Sequence, residues 1–141
     1  QAARGTAALA AAGIAMAWTL TAASLPAARE FWVTPRLGAA MERLPCLEAP
    51  PAVPGFGEPS VVFRFGTDTP DLSTAQALDW LAEGENRAAW IEPADLPAGM
   101  EAPPGVPDLT EIRGTNYTNG GNVHLRLYVS PGVPASDAPC G

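Results

Sequence analysis

The sequence predicts an α/β fold of the α+β kind: one N-terminal transmembrane helix, then a small sheet of three or four strands with one main covering helix. Two observations carry this prediction. Residues 5–28 contain no charged side chain, and about 20 apolar residues are enough to cross the hydrocarbon core of a bilayer. Beyond residue 59, short segments with strand and helix periodicity alternate, which is typical of a small mixed domain.

The chain of 141 residues therefore divides into three parts. Residues 1–28 are predicted to form the transmembrane helix, the last of several in the full protein. Residues 29–45 are predicted to form an amphipathic helix at the membrane surface. Residues 46–141 are predicted to form the small soluble α/β domain.

The apolar segment is rich in alanine and glycine, and such small residues let the backbones of membrane helices approach closely. This composition favours a helix that packs among other membrane helices. Phe31 and Trp32 follow the segment directly, and aromatic side chains at that depth are typical of the membrane–water interface. Two other interpretations stay open: a signal peptide with Arg4 as its charged end and cleavage before Arg29, or an alanine-rich helix buried in a soluble protein.

The segment 29–45 has apolar side chains at helical spacing, with Arg36 on the opposite face. The apolar positions are Val33, Leu37, Met41 and Leu44. A helix of this kind can lie on the bilayer surface. Alternatively, it is an ordinary helix that covers the following domain.

The first predicted strand covers residues 60–66, and its buried side chains alternate along the chain: Val61, Phe63 and Phe65. Ser73 can cap a following helix that ends at Gly84. Residues 87–92 are the second predicted strand. A strand, a helix and a strand of this length predict a right-handed, parallel βαβ unit.

Residues 108–117 and 122–129 are predicted to form a β-hairpin around the turn TNGG (118–121), because Asn and Gly tolerate the positive φ of such turns. In the last strand the core positions alternate: Val123, Leu125, Leu127 and Val129. The opposite face carries Asn122, His124, Arg126 and Tyr128. We interpret this polar face as solvated sheet surface, or as a docking face for the membrane part of the protein.

Two cysteines, Cys46 and Cys140, flank the predicted soluble domain. A disulfide between them would add roughly 4–5 kcal/mol in the chain-entropy model and requires an oxidising compartment. Two unrelated free thiols are the alternative. Two cysteines and one mid-strand histidine, His124, lack the spacing of a metal site, so we predict neither metal ligands nor a cofactor. The net charge of −7, with dispersed basic residues, excludes a nucleic-acid-binding protein.

The loop after the first predicted strand is a candidate binding site, because α/β folds bind ligands where parallel strands end. Asp68 and Thr69 in this loop could bind a hydroxyl group or a cation. The alternative is that they are ordinary turn and cap residues. No nucleophile and general base occur at a spacing typical of a catalytic pair, so we predict no catalytic residue in this chain.

Two segments, GFGEPSVVFRFGTDT (55–69) and GTNYTNGGNVHLRLYV (114–129), follow an apolar helix in that order. Together they resemble the C-terminal end of bacterial membrane glycosyltransferases of the dolichyl-phosphate-mannose–protein mannosyltransferase and aminoarabinose-transferase-like (GT-C) group. The resemblance rests on Glu58-Pro59-Ser60, on Gly66-Thr67-Asp68-Thr69 and on Asn116-Tyr117. The candidate binding or docking residues are therefore Glu58, Thr67, Asp68, Thr69, Asn116 and Tyr117.

This resemblance implies an integral enzyme of the bacterial inner membrane that uses a polyprenyl-phosphate-linked sugar. Its catalytic acidic residues lie in loops near the start of the full protein, and its C-terminal part lies in the periplasm without catalytic residues. Partners are then the bilayer, the preceding transmembrane helices and the lipid-linked sugar. A second hypothesis is a non-enzymatic periplasmic domain, membrane-anchored or exported, that serves binding or interaction.

The charge distribution around the apolar segment disagrees with a periplasmic location. Arg29, Arg36 and Arg43 follow the segment, whereas only Arg4 precedes it. The positive-inside rule would therefore place the soluble part in the cytoplasm. The resemblance and the cysteine pair both place it outside.

Overall fold

The computed structural model describes residues 2–44, 46–100, 108–131 and 133. It confirms the mixed fold class: an apolar N-terminal helix precedes a three-stranded antiparallel sheet and several helices. The elements in chain order are α1 (Ala2–Thr19), a π-helical stretch (Leu20–Ser24), α2 (Leu25–Ala27), a 3-10 turn (Arg29–Phe31), α3 (Val33–Met41), α4 (Pro59–Phe65), α5 (Thr74–Glu83), β1 (Ala88–Ile91), a 3-10 turn (Pro93–Asp95), β2 (Asp108–Thr115) and β3 (Asn122–Val129).

The apolar helix continues without a break from α1 through the π-helical stretch into α2. Its segment Arg4–Ala27, 24 residues long, is long and apolar enough to cross a membrane. None of this segment is buried against the rest of the described chain, so it is not a core helix of the domain seen here. A signal sequence near an N-terminus has the same properties. The transmembrane helix and the signal sequence therefore both stay open as interpretations.

The sheet contains three strands in the order β1-β3-β2, and both pairings are antiparallel. Strands β2 and β3 form the predicted hairpin. Its turn is closed by the backbone N–H of Asn116, which donates to the carbonyl oxygen of Gly121 at 2.8 Å. Gly120 in this turn has a φ of +72°, a conformation in which glycine avoids the steric strain of a Cβ atom.

The two outer edges of the sheet differ. On the outer side of β1, Ala52 forms a parallel bridge with Ala89. On β2, the register against β3 shifts between Asp108 and Glu111. The segment around Ala52 therefore takes the place beside β1 that a fourth strand would occupy.

The predicted parallel βαβ unit is wrong, because residues 60–66 lie mostly in helix α4. Glu58 is extended, Pro59 occupies the first turn, and Gly66 ends the helix with a φ of +97°, which is the arrangement that starts and stops a helix. The alternation that indicated a strand also contains a helical pair, Val61 and Phe65, four residues apart on the core side. Phe63 is 91% exposed, so its predicted place in the core is wrong.

Helices α3 and α4 cover one face of the sheet. Their buried side chains share a cluster with the strand residues that point to this face. The main members are Val33, Leu37, Met41, Val61, Trp90, Ile112, Val123, Leu125, Leu127 and Val129. The apolar side of α3, within the segment 29–45, thus packs on the domain, and the predicted core face of the last strand is confirmed.

Helix α5 covers one end of the opposite face. It begins with a capping box, in which Ser73 and Gln76 bond each other's backbone N–H groups. Ala77 and Leu81 of α5 pack against a second cluster that includes Tyr128. Tyr128 is fully buried, so its predicted place on the solvated face is wrong. The helix leaves only the other half of this face open.

The junction between the apolar helix and the domain is tightly packed. The indole N–H of Trp32 donates to the carbonyl oxygen of Leu25 at 2.7 Å. A Cβ atom at Gly114 in β2 would lie 2.5 Å from the carbonyl oxygen of Glu30, so only glycine allows this approach. Arg36 donates to the carbonyl oxygen of Arg113 at 2.7 Å. The apolar helix therefore leaves the domain beside the end of β2.

Candidate functional site

The structure brings together three of the six candidate residues, Glu58, Asn116 and Tyr117. Glu58 precedes α4, while Asn116 and Tyr117 open the hairpin turn after β2. Thr67, Asp68 and Thr69 lie in the separate turn that follows α4. That turn follows a helix, so the preference of ligands for the ends of parallel strands does not apply to it.

Glu58 is the centre of a buried polar network and is only 3% exposed. Its Oε1 accepts the backbone N–H of Tyr117 at 3.0 Å, and its Oε2 accepts the hydroxyl of Ser60 at 3.0 Å. The Ser60 hydroxyl also lies 2.7 Å from the hydroxyl of Thr34 in α3. One carboxylate therefore connects the hairpin turn, α4 and, through Ser60, α3.

Asn116 shapes the hairpin turn from within. It is 7% exposed, and its Oδ1 accepts the backbone N–H of Thr118 at 2.9 Å and the Thr118 hydroxyl at 2.5 Å. This is an Asx turn, in which the side chain replaces a backbone acceptor. The side chain of the next residue, Tyr117, is 53% exposed.

A groove of about 540 Å³ lies beside Glu58. Its lining is apolar on one part and polar on another: Val53, Phe56, Val61 and Val62, together with Glu58, Thr67, Thr69 and Asp71. The Thr69 hydroxyl already donates to the carbonyl oxygen of Gly66 at 2.7 Å, as an ordinary turn residue does. Asp68 is exposed in the same turn. The groove can accommodate a mixed polar and apolar ligand, but the candidate residues do not converge on one point in it.

Sequence reasoning missed a charged cluster on the open half of the sheet. Glu111 bonds Arg126 through both Nε, at 3.0 Å, and Nη2. Its other oxygen lies 3.2 Å from Nε2 of His124 and 3.5 Å from Nη2 of Arg113. The Arg126 guanidinium, followed by the His124 imidazole, lowers the pKa of Glu111 to about 2. The hairpin register, with Glu111 opposite Arg126, is the signal that could have identified this cluster.

Cys46 is 9% exposed, and no cysteine is free in the described part of the chain. Its predicted partner, Cys140, lies outside the described residues, so the disulfide stays a prediction. Within residues 2–44, 46–100, 108–131 and 133, no group of three or more His, Cys, Asp or Glu side chains could hold a metal ion.

Comparisons with protein families, with curated proteins and with solved structures find no match to this chain. Its function is therefore inferred from its own geometry, above all from the network around Glu58.

Proposed function

We propose that this chain is the last membrane helix and the non-catalytic periplasmic domain of an integral-membrane glycosyltransferase that uses a polyprenyl-phosphate-linked sugar. The observation that supports this proposal most is the hydrogen bond from the Tyr117 backbone to Glu58. It joins the two segments on which the resemblance to that group rests, although they lie far apart in the sequence. The joined segments also lie near the C-terminal end of a helix that is long enough to cross a membrane.

In this proposal the domain described here has a structural role, and the upstream part of the enzyme catalyses sugar transfer. Glu58 is buried and both of its oxygens accept hydrogen bonds within the domain, so its role here is to connect elements. The acidic residues that act on the sugar then belong to loops upstream of Gln1. The open half of the sheet with His124 is solvated surface or a contact for the membrane part.

A periplasmic location is part of the same proposal. It is supported by the buried Cys46 and by the lack of a free cysteine in the described residues, because disulfides persist in oxidising compartments. Arg36, one of the arginines that argue for the cytoplasm, donates to the backbone of β2. Its position therefore has a structural reason that is independent of membrane orientation.

The test uses the full-length gene product, reconstituted in vesicles with polyprenyl-phosphate-linked sugars. We expect a reading frame with repeated apolar spans upstream of Gln1, and sugar transfer that His124→Ala leaves nearly unchanged. Loss of transfer in a His124→Ala protein that keeps its fold would place chemistry on this domain and contradict the proposal. An upstream frame that holds only a short charged leader would contradict it as well.

The second candidate function is a non-enzymatic periplasmic binding domain, anchored or exported. The groove beside Glu58, with its mixed lining, favours this alternative. The position of the mature N-terminus distinguishes the two functions. A protein that begins near Arg29 after export is the product of signal-peptide cleavage, whereas the glycosyltransferase proposal requires the apolar helix to be retained.

A further inference from the structure

Three parts of the domain meet where the apolar helix leaves it. The carbonyl of Glu30 lies against Gly114, near the end of β2. Thr34 lies 2.7 Å from Ser60 at the start of α4. Glu58, just before α4, holds the backbone of Tyr117 in the hairpin turn. The hairpin turn is therefore fixed on the same end of the domain as the helix exit.

This end of the domain exposes three aromatic side chains. Phe31 is 45% exposed, Trp32 is 42% exposed and Tyr117 is 53% exposed. Soluble surfaces carry few such side chains close together. Tyr and Trp are enriched where a protein passes through the interface between hydrocarbon and water, and Phe31 and Trp32 follow the candidate membrane span by only a few residues.

The same end carries a local excess of positive charge, although the chain as a whole has a net charge of −7. Arg29, Arg36 and Arg113 are all exposed there, together with two exposed carboxylates, Glu30 and Glu111. Glu111 lies 3.5 Å from Arg113, so the arginines outnumber the carboxylates by one. Basic side chains near a bilayer surface are attracted by anionic lipids, by about 1 kcal/mol each. Charge and aromatic content thus match the same kind of surface.

We propose that this surface, formed by Phe31, Trp32, Tyr117, Arg29, Arg36 and Arg113, lies in the headgroup layer of the bilayer and contacts anionic phospholipid. The inference rests on the part of the proposed function in which residues 4–27 span the membrane. It adds a second attachment point, the hairpin turn, and so fixes how the domain lies on the bilayer. Contacts between membrane helices favour small residues, and the large aromatic and charged side chains here fit lipid better.

The experiment places a photoreactive benzoylphenylalanine at position 117 in the full chain, reconstituted in vesicles of phosphatidylethanolamine and phosphatidylglycerol. A matched control places the same group at Glu83, which is exposed on α5. The end of α5 lies toward the far end of β3, where the backbone N–H of Arg87 donates to Ser130 at 2.8 Å. Mass spectrometry then measures lipid adducts at each position.

We expect about tenfold more lipid adduct at position 117 than at position 83, because a group in the headgroup layer is surrounded by lipid. Replacing phosphatidylglycerol by phosphatidylcholine should lower the yield at position 117 severalfold. Equal yields at both positions, or adducts at 117 to protein instead of lipid, overturn the proposed surface while the protein still resists carbonate extraction. Release of the chain by carbonate overturns the membrane span, and with it both proposals.

Discussion

At the scale of single residues, the cluster around Glu111 links stability to pH. Arg126, followed by His124, lowers the pKa of Glu111 from its usual 4.5 to about 2. Because the folded value lies below the unfolded one, this stabilisation is fully present above about pH 4.5 and is lost as the pH falls towards about 2. Glu111 is well exposed to solvent, so the effect is modest.

Glu111→Gln should therefore reduce the acid sensitivity of the fold. The measurement is the urea midpoint of both proteins between about pH 5 and about pH 2, in which we expect a shallower decrease for the variant. Parallel curves for the two proteins would show that the cluster contributes nothing to acid sensitivity.

Glu58 is a second residue whose role can be measured. Glu58→Ala leaves the part-buried N–H of Tyr117 without its acceptor, which costs about 1–3 kcal/mol of unfolding free energy. Glu58→Gln keeps one carbonyl acceptor and should lose less. Glu83→Ala, on the exposed surface of α5, is the control and should stay within about 0.5 kcal/mol. Chemical denaturation of the full chain in detergent compares them, and equal midpoints for Glu58→Ala and Glu83→Ala would refute the connecting role.

At the scale of elements, the exposure of two side chains in α4 distinguishes this helix from the strand that the alternating pattern predicts. Val61 is 5% exposed and Phe63 is 91% exposed, whereas a strand would bury both. Val61→Ala should cost about 1–3 kcal/mol, the value of a buried valine side chain, and Phe63→Ala should change little. Denaturation midpoints measure both variants. A large loss of stability in Phe63→Ala would contradict the helix and support the predicted strand.

Strand β3 gives a matched pair of neighbours on opposite faces. Leu125 is 1% exposed, and truncation of a buried leucine costs about 2–5 kcal/mol. For so small a core, Leu125→Ala should unfold the soluble domain. His124→Ala should leave it folded, with a loss typical of a partly exposed polar side chain, below about 1 kcal/mol. Circular dichroism and proteolysis test the pair, and a folded Leu125→Ala protein would contradict the assigned core.

The elements that could be predicted from the sequence depend on local signals. Strand β3 alternates over its whole length, the hairpin turn contains glycine, and α5 has a capping box at Ser73. The prediction for α4 failed because Val61 and Phe65 satisfy both a period of two and a spacing of four. The contact of Glu58 with Tyr117 connects residues 59 positions apart, and no local pattern encodes such a contact. The prediction for Tyr128 failed because α5 covers the end of the polar face on which Tyr128 lies.

At the scale of the whole molecule, the predicted bridge between Cys46 and Cys140 concerns the borders of the domain. Cys46 is buried close to the end of α3. We expect non-reduced, alkylated protein from the oxidising compartment to take up no alkylating reagent at either cysteine, and a variant without both cysteines to lose roughly 4–5 kcal/mol. Mass spectrometry gives the first result and denaturation the second. Labelling of both cysteines without reduction would contradict the bridge.

The register shift in β2 has a consequence for encounters between copies of the protein. A regular outer strand is a template onto which a second copy can add its own strand. Here the outer side of β1 is occupied by Ala52. The outer strand β2 is irregular between Asp108 and Glu111, carries charged side chains, and has its Arg113 carbonyl bonded by Arg36. Both edges therefore lack the regular, unpaired strand to which a second copy would add its own.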